Sequence, residues 1–308
     1  MASTFRSVRG NRNAQLFFSG LMISNIGTWM QFTAVAIVVD RLTGKTTAIG
    51  ILAALQFAPM LFLGAWAGAI ADRVDKRKMA IVTQSGLAIQ AIVLAALDVM
   101  GQLTIGSVYV LTFVLGVIAA LDNPARRGFV TELVPPEQIG SAVSLNTAVM
   151  TGSRIFGPAI TALLVGTVGT AWLFSLNAVS FVAILASLAF LDRSKLYPAP
   201  RAPRGGTPVR DALRYVRRTP LMWATFVVFT IVSTFGFNYN VSLPRMANQI
   251  WGSEAWYGWV LTANSVGSML GSLATASRER VTLRWMAGNG LLLGVAGLGL
   301  AWSPTALT

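Results

Sequence analysis

One basic residue lies in the middle of an apolar segment, where its charge needs a partner or a cavity. Arg154 falls near the centre of Ser141 to Gly166, which is long enough to cross a bilayer. An ionised side chain at that depth is costly and normally faces a cavity or a paired group. Ser144, Thr147 and Thr151 share its helical face. We therefore predict that Arg154, Thr151 and Thr147 line a polar cavity, in which the guanidinium favours an anionic or strongly accepting ligand.

The same arginine also has a structural interpretation. Pro158 cannot donate a backbone hydrogen bond, so carbonyl groups near Gly157 and Pro158 are free to accept one from Arg154. Asn146 falls on the opposite side of this helix and is expected to bond a neighbouring helix. The sequence leaves both interpretations of Arg154 open.

Two other apolar segments carry small polar stripes. Ser24, Thr28 and Gln31 recur at helical spacing in the first, and Asn238 follows two threonines at helical spacing in the seventh. Such stripes serve helix packing at least as often as ligand binding. Trp29, Phe32 and Phe57 lie nearby, and would suit a ring-bearing ligand or belong to an ordinary core.

A charge-dense turn between two apolar segments is a further signal. Residues 72–78 contain Arg73, Arg77 and two lysines, and Gly64 and Gly68 lie at the end of the preceding apolar segment. Such a turn must lie at a membrane surface, because the flanking helices bury their backbones while the cations stay in water. Glycines four apart let helices approach closely. A second glycine pair, four apart, occupies the corresponding place near residues 267–271.

The composition defines the class of protein. Apolar residues make up 54% of the 308 residues, charged residues 11%, and the mean hydropathy is +0.63, which indicates an integral membrane protein. The 24 Lys and Arg exceed the 11 Asp and Glu, but they are scattered between apolar runs, so no nucleic-acid partner is predicted. The absence of Cys and His removes thiolate and imidazole chemistry. We predict no enzyme, no metal and no cofactor.

About 20 apolar residues cross a bilayer, and nine segments meet this length. The predicted fold is an all-α membrane protein with spans at Gln15–Val39, Thr47–Ala71, Met79–Met100, Leu103–Leu121, Ser141–Gly166, Ala171–Leu191, Leu221–Val241, Trp256–Ala276 and Trp285–Trp302. A cytoplasmic N-terminus leaves only Arg41, Lys45 and Arg245 on the outer side, as the positive-inside rule favours.

The polar stretch 192–220 divides the chain. We predict a six-helix N-terminal bundle at 1–191, a cytoplasmic linker at 192–220 and a partial C-terminal bundle of three helices at 221–308. Within the linker, Val209 to Arg218 is either a short amphipathic surface helix or a solvated connection.

The charged turn resembles a known signature. Gly68-x-x-x-Asp72-Arg73-x-x-Lys76-Arg77 is similar to the loop between helices two and three of the major facilitator superfamily. Other segments resemble a bacterial branch of transmembrane secretion effectors that includes enterobactin-exporter-like and macrolide-efflux-like proteins: Ser24 to Gln31, Leu42 to Gly44, Gln56 to Pro59, Asp122 to Arg126, Glu132 to Pro135 and Arg154 to Pro158.

The resemblance implies two six-helix bundles that rock around a central cavity. The gating residues would be Gly64, Gly68, Asp72, Arg73 and Arg77, with Asp72 against a helix terminus of the second bundle. The alternative is that the cations of this turn only fix the topology.

The same analogy indicates which of the remaining amide side chains face the predicted cavity and which lie outside it. Gln56 joins Arg154, Thr151, Thr147, Ser24, Thr28, Gln31 and Asn238, whereas Gln84, Gln90 and Asn177 are expected to lie outside.

The resemblance implies a secondary efflux transporter of the bacterial plasma (inner) membrane, in contact with membrane lipid. Its substrate would be a small organic compound such as a siderophore, a macrolide or another amphiphilic drug. A coupling proton is implied by the family alone, since no acid falls at mid-membrane. Alternatives are an uptake carrier or lipid flippase, and a transport-inactive remnant or membrane interaction subunit. The superfamily has twelve helices, so we expect this chain to be a truncated copy.

Overall fold

The structure, a computed structural model, describes residues 7–197, 214–236, 239–276 and 283–302. These residues form helices joined by short turns and contain no strand, so the all-α prediction is confirmed. The helices are α1 (Arg12–Thr43), α2 (Thr46–Ala71), α3 (Lys76–Val99), α4 (Ile105–Glu132), α5 (Ile139–Leu164), α6 (Gly169–Phe190), α7 (Pro220–Gly236), α8 (Tyr239–Gln249), α9 (Ala255–Ala276) and α10 (Leu283–Ala301).

One of the predicted spans is corrected. The fourth helix does not end at Leu121 but continues to Glu132, because its charged residues find partners in the fold. Asp122 accepts hydrogen bonds from Thr83 and Gln84 on α3 at 2.7 and 2.9 Å, and also pairs with Arg126. The seventh predicted span falls on α7 and on the start of the polar helix α8, and residues 237 and 238 between them lie outside the described residues.

Local capping explains several boundaries. Asn11 caps the start of α1 by accepting from the Ala14 N–H, and Asp75 caps α3 by accepting from the Lys78 N–H at 2.9 Å. The left-handed conformation of Gly44, with φ of 59°, ends α1. The turn between α2 and α3 is therefore fixed by a carboxylate cap as well as by its cations.

Apolar side chains separate into two buried cores and an exposed outer surface. One core joins the C-terminal half of α1 to α2, α8 and α9, and the other joins its N-terminal half to α3, α4, α5 and α6. Leu61, Phe62 and Trp66 on α2 are by contrast 67–78% exposed. By length and composition, α1, α2, α3, α4 and α6 are each able to cross a membrane; the other described helices are shorter or more polar. This pattern fits a surface that faces lipid.

Close helix crossings occur at glycines other than the predicted ones. A Cβ added at Gly27 would lie 2.3 Å from Ser180 Oγ on α6, and one at Gly157 would lie 2.4 Å from Trp29 Cβ on α1. Gly116 on α4 and Gly258 on α9 meet α2 and α5 as closely. Four other glycines, by contrast, have no atom of a neighbouring helix within 4 Å in the described structure: Gly64, Gly68, Gly267 and Gly271. The expectation that these two pairs mark close approaches is therefore corrected.

Candidate functional site

A cavity of about 490 Å³ lies between the N-terminal helices α1, α2 and α5 and the later helices α7, α8 and α9. Its walls are mostly aromatic and aliphatic, and a few polar groups project into it. The lining residues are Trp29, Phe32, Ala36, Ile49, Leu52, Ala53, Gln56, Phe57, Arg154, Pro158, Ser233, Asn240, Val241, Tyr257, Leu261, Asn264 and Ser265. A volume of this size accommodates a small organic molecule.

Arg154 supplies the positive charge of this cavity. Its guanidinium carbon lies 5.1 Å from the centre of the Trp29 ring, and Trp29 packs edge-on against Phe32 at 5.1 Å. A cation over an indole face gains electrostatic attraction from the ring. Among the described residues, the guanidinium has no carboxylate partner and makes no hydrogen bond to the carbonyl groups near Pro158. The geometry thus leaves the donors of Arg154 directed at the cavity.

Amide side chains provide the other polar contacts. Gln56 on α2 and Asn240 on α8 have no hydrogen-bond partner in the part of the chain that the structure describes, and Asn264 on α9 accepts only from Ser268 at 3.4 Å. None of the described lining residues is acidic. Free amides beside an unpaired guanidinium can hydrogen-bond an oxygen-rich ligand, whereas a cationic ligand would meet repulsion without a counter-charge.

The prediction for helix one is corrected. Gln31 is only 2% exposed and is hydrogen-bonded to Gln90 on α3 at 3.0 Å and to Asn177 on α6 at 2.8 Å. Ser24 is 3% exposed, and Thr28 donates to the Ser24 carbonyl oxygen at 3.0 Å. Gln31 therefore holds α1 against α3 and α6, and none of these three residues belongs to the described cavity lining.

The stripe on α5 reaches the cavity only at Arg154. Thr147 is exposed but donates to the Val143 carbonyl oxygen of its own helix, and Thr151 is half-buried outside the lining. Asn146 was expected to bond a neighbouring helix, but its buried Oδ1 has no partner among the described residues. Asn238 lies outside the described residues. Gln56, by contrast, lies in the lining together with Arg154.

The turn between α2 and α3 separates into exposed and buried members. Asp72 and Arg73 are exposed. Arg77 is only 8% exposed; it donates to the Leu188 and Ala189 carbonyl oxygens at 2.8 and 3.3 Å, which are the unpaired carbonyls at the end of α6. Arg77 therefore fastens α3 to α6 within one bundle.

Lys76 makes a contact within the fold that its predicted role in orienting the chain does not include. It pairs with Glu132 at the end of α4 at 2.6 Å, and both side chains are 14% exposed. A partly buried pair of this kind ties α3 to α4, so Lys76 does more than set the orientation of the chain.

Sequence reasoning did not find the lining residues contributed by α8 and α9. Tyr257, Leu261, Asn264 and Ser265 follow a helical spacing that marks one face of α9. That spacing was a usable signal, although it is weaker than a charge within an apolar segment. No group of three or more potential metal ligands occurs among the described residues.

In the part of the chain that the structure describes, five helices of membrane-spanning length and a cavity between the N-terminal and the later helices define the class of protein, a helical membrane protein with a site for a small molecule. The fold is similar to that of a bacterial homologue of the human lysosomal transporter Spinster in an inward-facing, occupied conformation: TM-score 0.63, 14% identity, covering 93% of this chain and 67% of that one. It is also similar to a D-xylose–proton symporter, with a TM-score of 0.56, 14% identity and coverage of 84% and 69%.

Residues 2–308 match the sequence profile of the family described as transmembrane secretion effector, and the chain belongs to this family within the major facilitator superfamily. The family resemblance and the prediction that the protein is not an enzyme are confirmed, since the family and its relatives are transporters.

Three relatives illustrate the range of the family. YfiS, an MFS-type transporter of Bacillus subtilis, is 26% identical over 95% of this chain and 73% of its own length. The staphyloferrin A transporter of Staphylococcus aureus is 24% identical, with coverage of 83% and 65%. The enterobactin exporter EntS of Shigella boydii is 25% identical, with coverage of 92% and 66%. The chain thus spans about two thirds of the length of the latter two.

Proposed function

We propose that the chain acts in a secondary transporter that exports a small amphiphilic organic anion across the bacterial inner membrane by alternating access. The observation that carries this proposal is the unpaired Arg154 guanidinium stacked on Trp29 in a cavity whose described lining holds no acid. An aromatic wall suits the apolar part of such a substrate, and Arg154 with the free amides suits its acidic or oxygen-rich part.

The relatives support this substrate class and the outward direction. One is named as an exporter of enterobactin and another as a transporter of staphyloferrin A, both small organic compounds. A cationic drug would lack a counter-charge in the described lining, so the lining favours an anionic compound over a cationic macrolide or other cationic drug. The cytoplasmic N-terminus, and coupling to a proton, belong to the proposal as well.

Binding of matched ring compounds tests the role of Arg154. The probes are 2-naphthoate, which is an anion, and its neutral isostere 2-naphthamide, measured by equilibrium dialysis with the purified full chain. A hydrogen bond to a charged group contributes about 1.5–3 kcal/mol, so we expect the anion to bind at least about tenfold more tightly than the amide. Arg154→Gln should abolish this preference, and Arg154→Lys should retain part of it.

Arg127→Gln is the matched control, because Arg127 is exposed and lies outside the cavity. It should leave the preference for the anion unchanged. If folded Arg154→Gln protein keeps the preference, or exports substrate as well as the unsubstituted chain, Arg154 does not select the substrate. Net movement of 2-naphthoate out of inverted vesicles, rather than into them, would contradict the outward direction.

A further inference from the structure

The cavity is closed at the end where α1 terminates. Leu243 and Ala247 of α8 and Tyr257 of α9 are fully buried there, against the last turns of α1 and the first turns of α2. We call these three residues the closing layer. It joins the N-terminal helices to the later ones and separates the cavity from the nearby membrane surface.

Two ion pairs lie beyond the closing layer, and their charges are crossed. Asp40, near the end of α1, pairs with Arg245 of α8 at 3.5 Å and accepts a hydrogen bond from Asn248 at 3.1 Å. Arg41 pairs with Glu254, just before α9, through both of its carboxylate oxygens. Neighbouring residues of α1 thus carry opposite charges, and each meets its complement on the other half.

The chain geometry favours these contacts. Asp40 is only 4% exposed, so its charge would be costly without Arg245 and Asn248. A Cβ added at Gly44 would lie 3.2 Å from Arg245 Nη1, so the glycine that ends α1 also leaves room for the guanidinium.

The two halves are not joined in the same way toward the opposite end. Thr262 of α9 still reaches the Ile155 carbonyl oxygen of α5 at 3.3 Å. Further along α9, Gly267 and Gly271 have no neighbouring atom within 4 Å, and Gly64 and Gly68 on α2 are equally open, in the described part of the chain. Among the described residues, the ion pairs that link the two halves therefore lie where α1 ends.

We propose that Asp40–Arg245 and Arg41–Glu254 form a double ion-pair gate that holds the cavity shut on the side where α1 ends. Under the proposed orientation this is the outer side, and the role of the gate in transport rests on the proposed alternating access. The closing layer excludes water, and the crossed charges fix the two halves in one register. Opening on that side requires both pairs to separate, so weakening one pair shifts the population toward the open form.

Thiol labelling measures this opening without any substrate. The chain has no cysteine, so a single Ser265→Cys substitution in the cavity lining provides the only reactive site. A membrane-impermeant maleimide is added to vesicles of known sidedness, from each side in turn. The full chain should label slowly from the side where α1 ends and faster from the opposite side.

The Arg41→Glu variant tests the gate by placing two acids together. Loss of a partly exposed pair and the added repulsion should raise labelling from the α1-end side by about fivefold. The charge-swapped double variant, Arg41→Glu with Glu254→Arg, restores attraction and should return labelling to its original rate. Asp40→Asn should also raise labelling, since it removes the charge that faces Arg245.

The control exchanges the Lys76–Glu132 pair, which lies within the N-terminal half. Lys76→Glu with Glu132→Lys should leave labelling from the α1-end side unchanged. If Arg41→Glu does not raise labelling, or the double variant labels as fast as Arg41→Glu, the gate is wrong. If the charge-swapped double variant returns to slow labelling but Arg154→Gln does not alter naphthoate binding, the gate is supported and the proposed substrate selection by Arg154 is rejected.

Discussion

Replacing Gly157 by Ala would add one methyl group where α5 crosses α1. A Cβ at this position would lie 2.4 Å from Trp29 Cβ, 2.9 Å from the Ile26 carbonyl oxygen and 2.9 Å from the Met30 backbone nitrogen. Two of these atoms belong to the backbone, so no side-chain rotation relieves the contact. Ordinary contact begins at 3.4 Å, and α5 would therefore have to move away from α1 by about 1 Å.

Two opposing terms set the size of the effect. Alanine favours a helix over glycine by roughly 0.5–1 kcal/mol. Overpacking a close crossing costs about 1–3 kcal/mol. The net loss in the free energy of unfolding is therefore about 1–2 kcal/mol, which corresponds to a decrease in Tm of roughly 2–6 °C.

Thermal unfolding of the purified chain, followed by intrinsic tryptophan fluorescence, measures this change, because the chain contains 9 Trp. Gly64→Ala is the matched control: it gains the same helix propensity, and a Cβ there would meet nothing within 4 Å in the described structure. We expect Gly64→Ala to keep or raise the Tm and Gly157→Ala to lower it.

The same substitution connects packing to the site. Trp29 contacts Gly157 directly and Arg154 lies one turn away, so a 1 Å displacement alters the stacking that positions the guanidinium. Gly157→Ala should therefore also weaken 2-naphthoate binding, whereas Gly64→Ala should not. A Gly157→Ala protein as stable as Gly64→Ala, with unchanged naphthoate affinity, would refute the close crossing of α1 and α5.

Two further substitutions test the buried polar contacts. Arg77→Gln removes the hydrogen bonds to the last carbonyl groups of α6 and should lower the free energy of unfolding by about 1–3 kcal/mol. Arg73 is exposed, so Arg73→Gln should change the free energy of unfolding by less than about 0.5 kcal/mol. Equal effects of the two substitutions in thermal melts would contradict the capping role of Arg77. Gln31→Leu leaves the amides of Gln90 and Asn177 unsatisfied, so it should lower the free energy of unfolding by about 1–3 kcal/mol without weakening naphthoate binding. Gln56→Leu should instead weaken naphthoate binding with little loss of stability, because Gln56 lines the cavity. If Gln31→Leu weakens naphthoate binding and Gln56→Leu lowers the stability instead, Gln31 lines the cavity and the assignment of these two residues is wrong.

The membrane class, the all-helical fold and the family were accessible from the sequence, because each depends on composition, segment length or local motif. Segment length placed the helices to within a few residues, and caps such as Asp75 and Gly44 set the ends that the structure shows. The fourth helix was predicted too short because the partners of Asp122 and Glu132 lie on α3, and a hydropathy pattern does not contain them.

The cavity was predictable only in part. Arg154 was found because a charge within an apolar segment is costly wherever the helix packs. Gln31 and Gln56 have the same side chain and both lie in apolar helices, yet one is covered by α3 and α6 and the other faces the cavity. Helical spacing identifies the residues that share a face, but it does not identify the helix that covers that face.

The sequence by itself determined that this chain spans a membrane, forms helices and carries a cation within an apolar segment, because those properties are local. The tertiary structure alone decided that Arg154 stacks on Trp29, that Gln31 joins a buried amide network, and that Asp40 and Arg41 meet Arg245 and Glu254. These contacts join residues that are distant along the chain, and only the packing of whole helices brings them together.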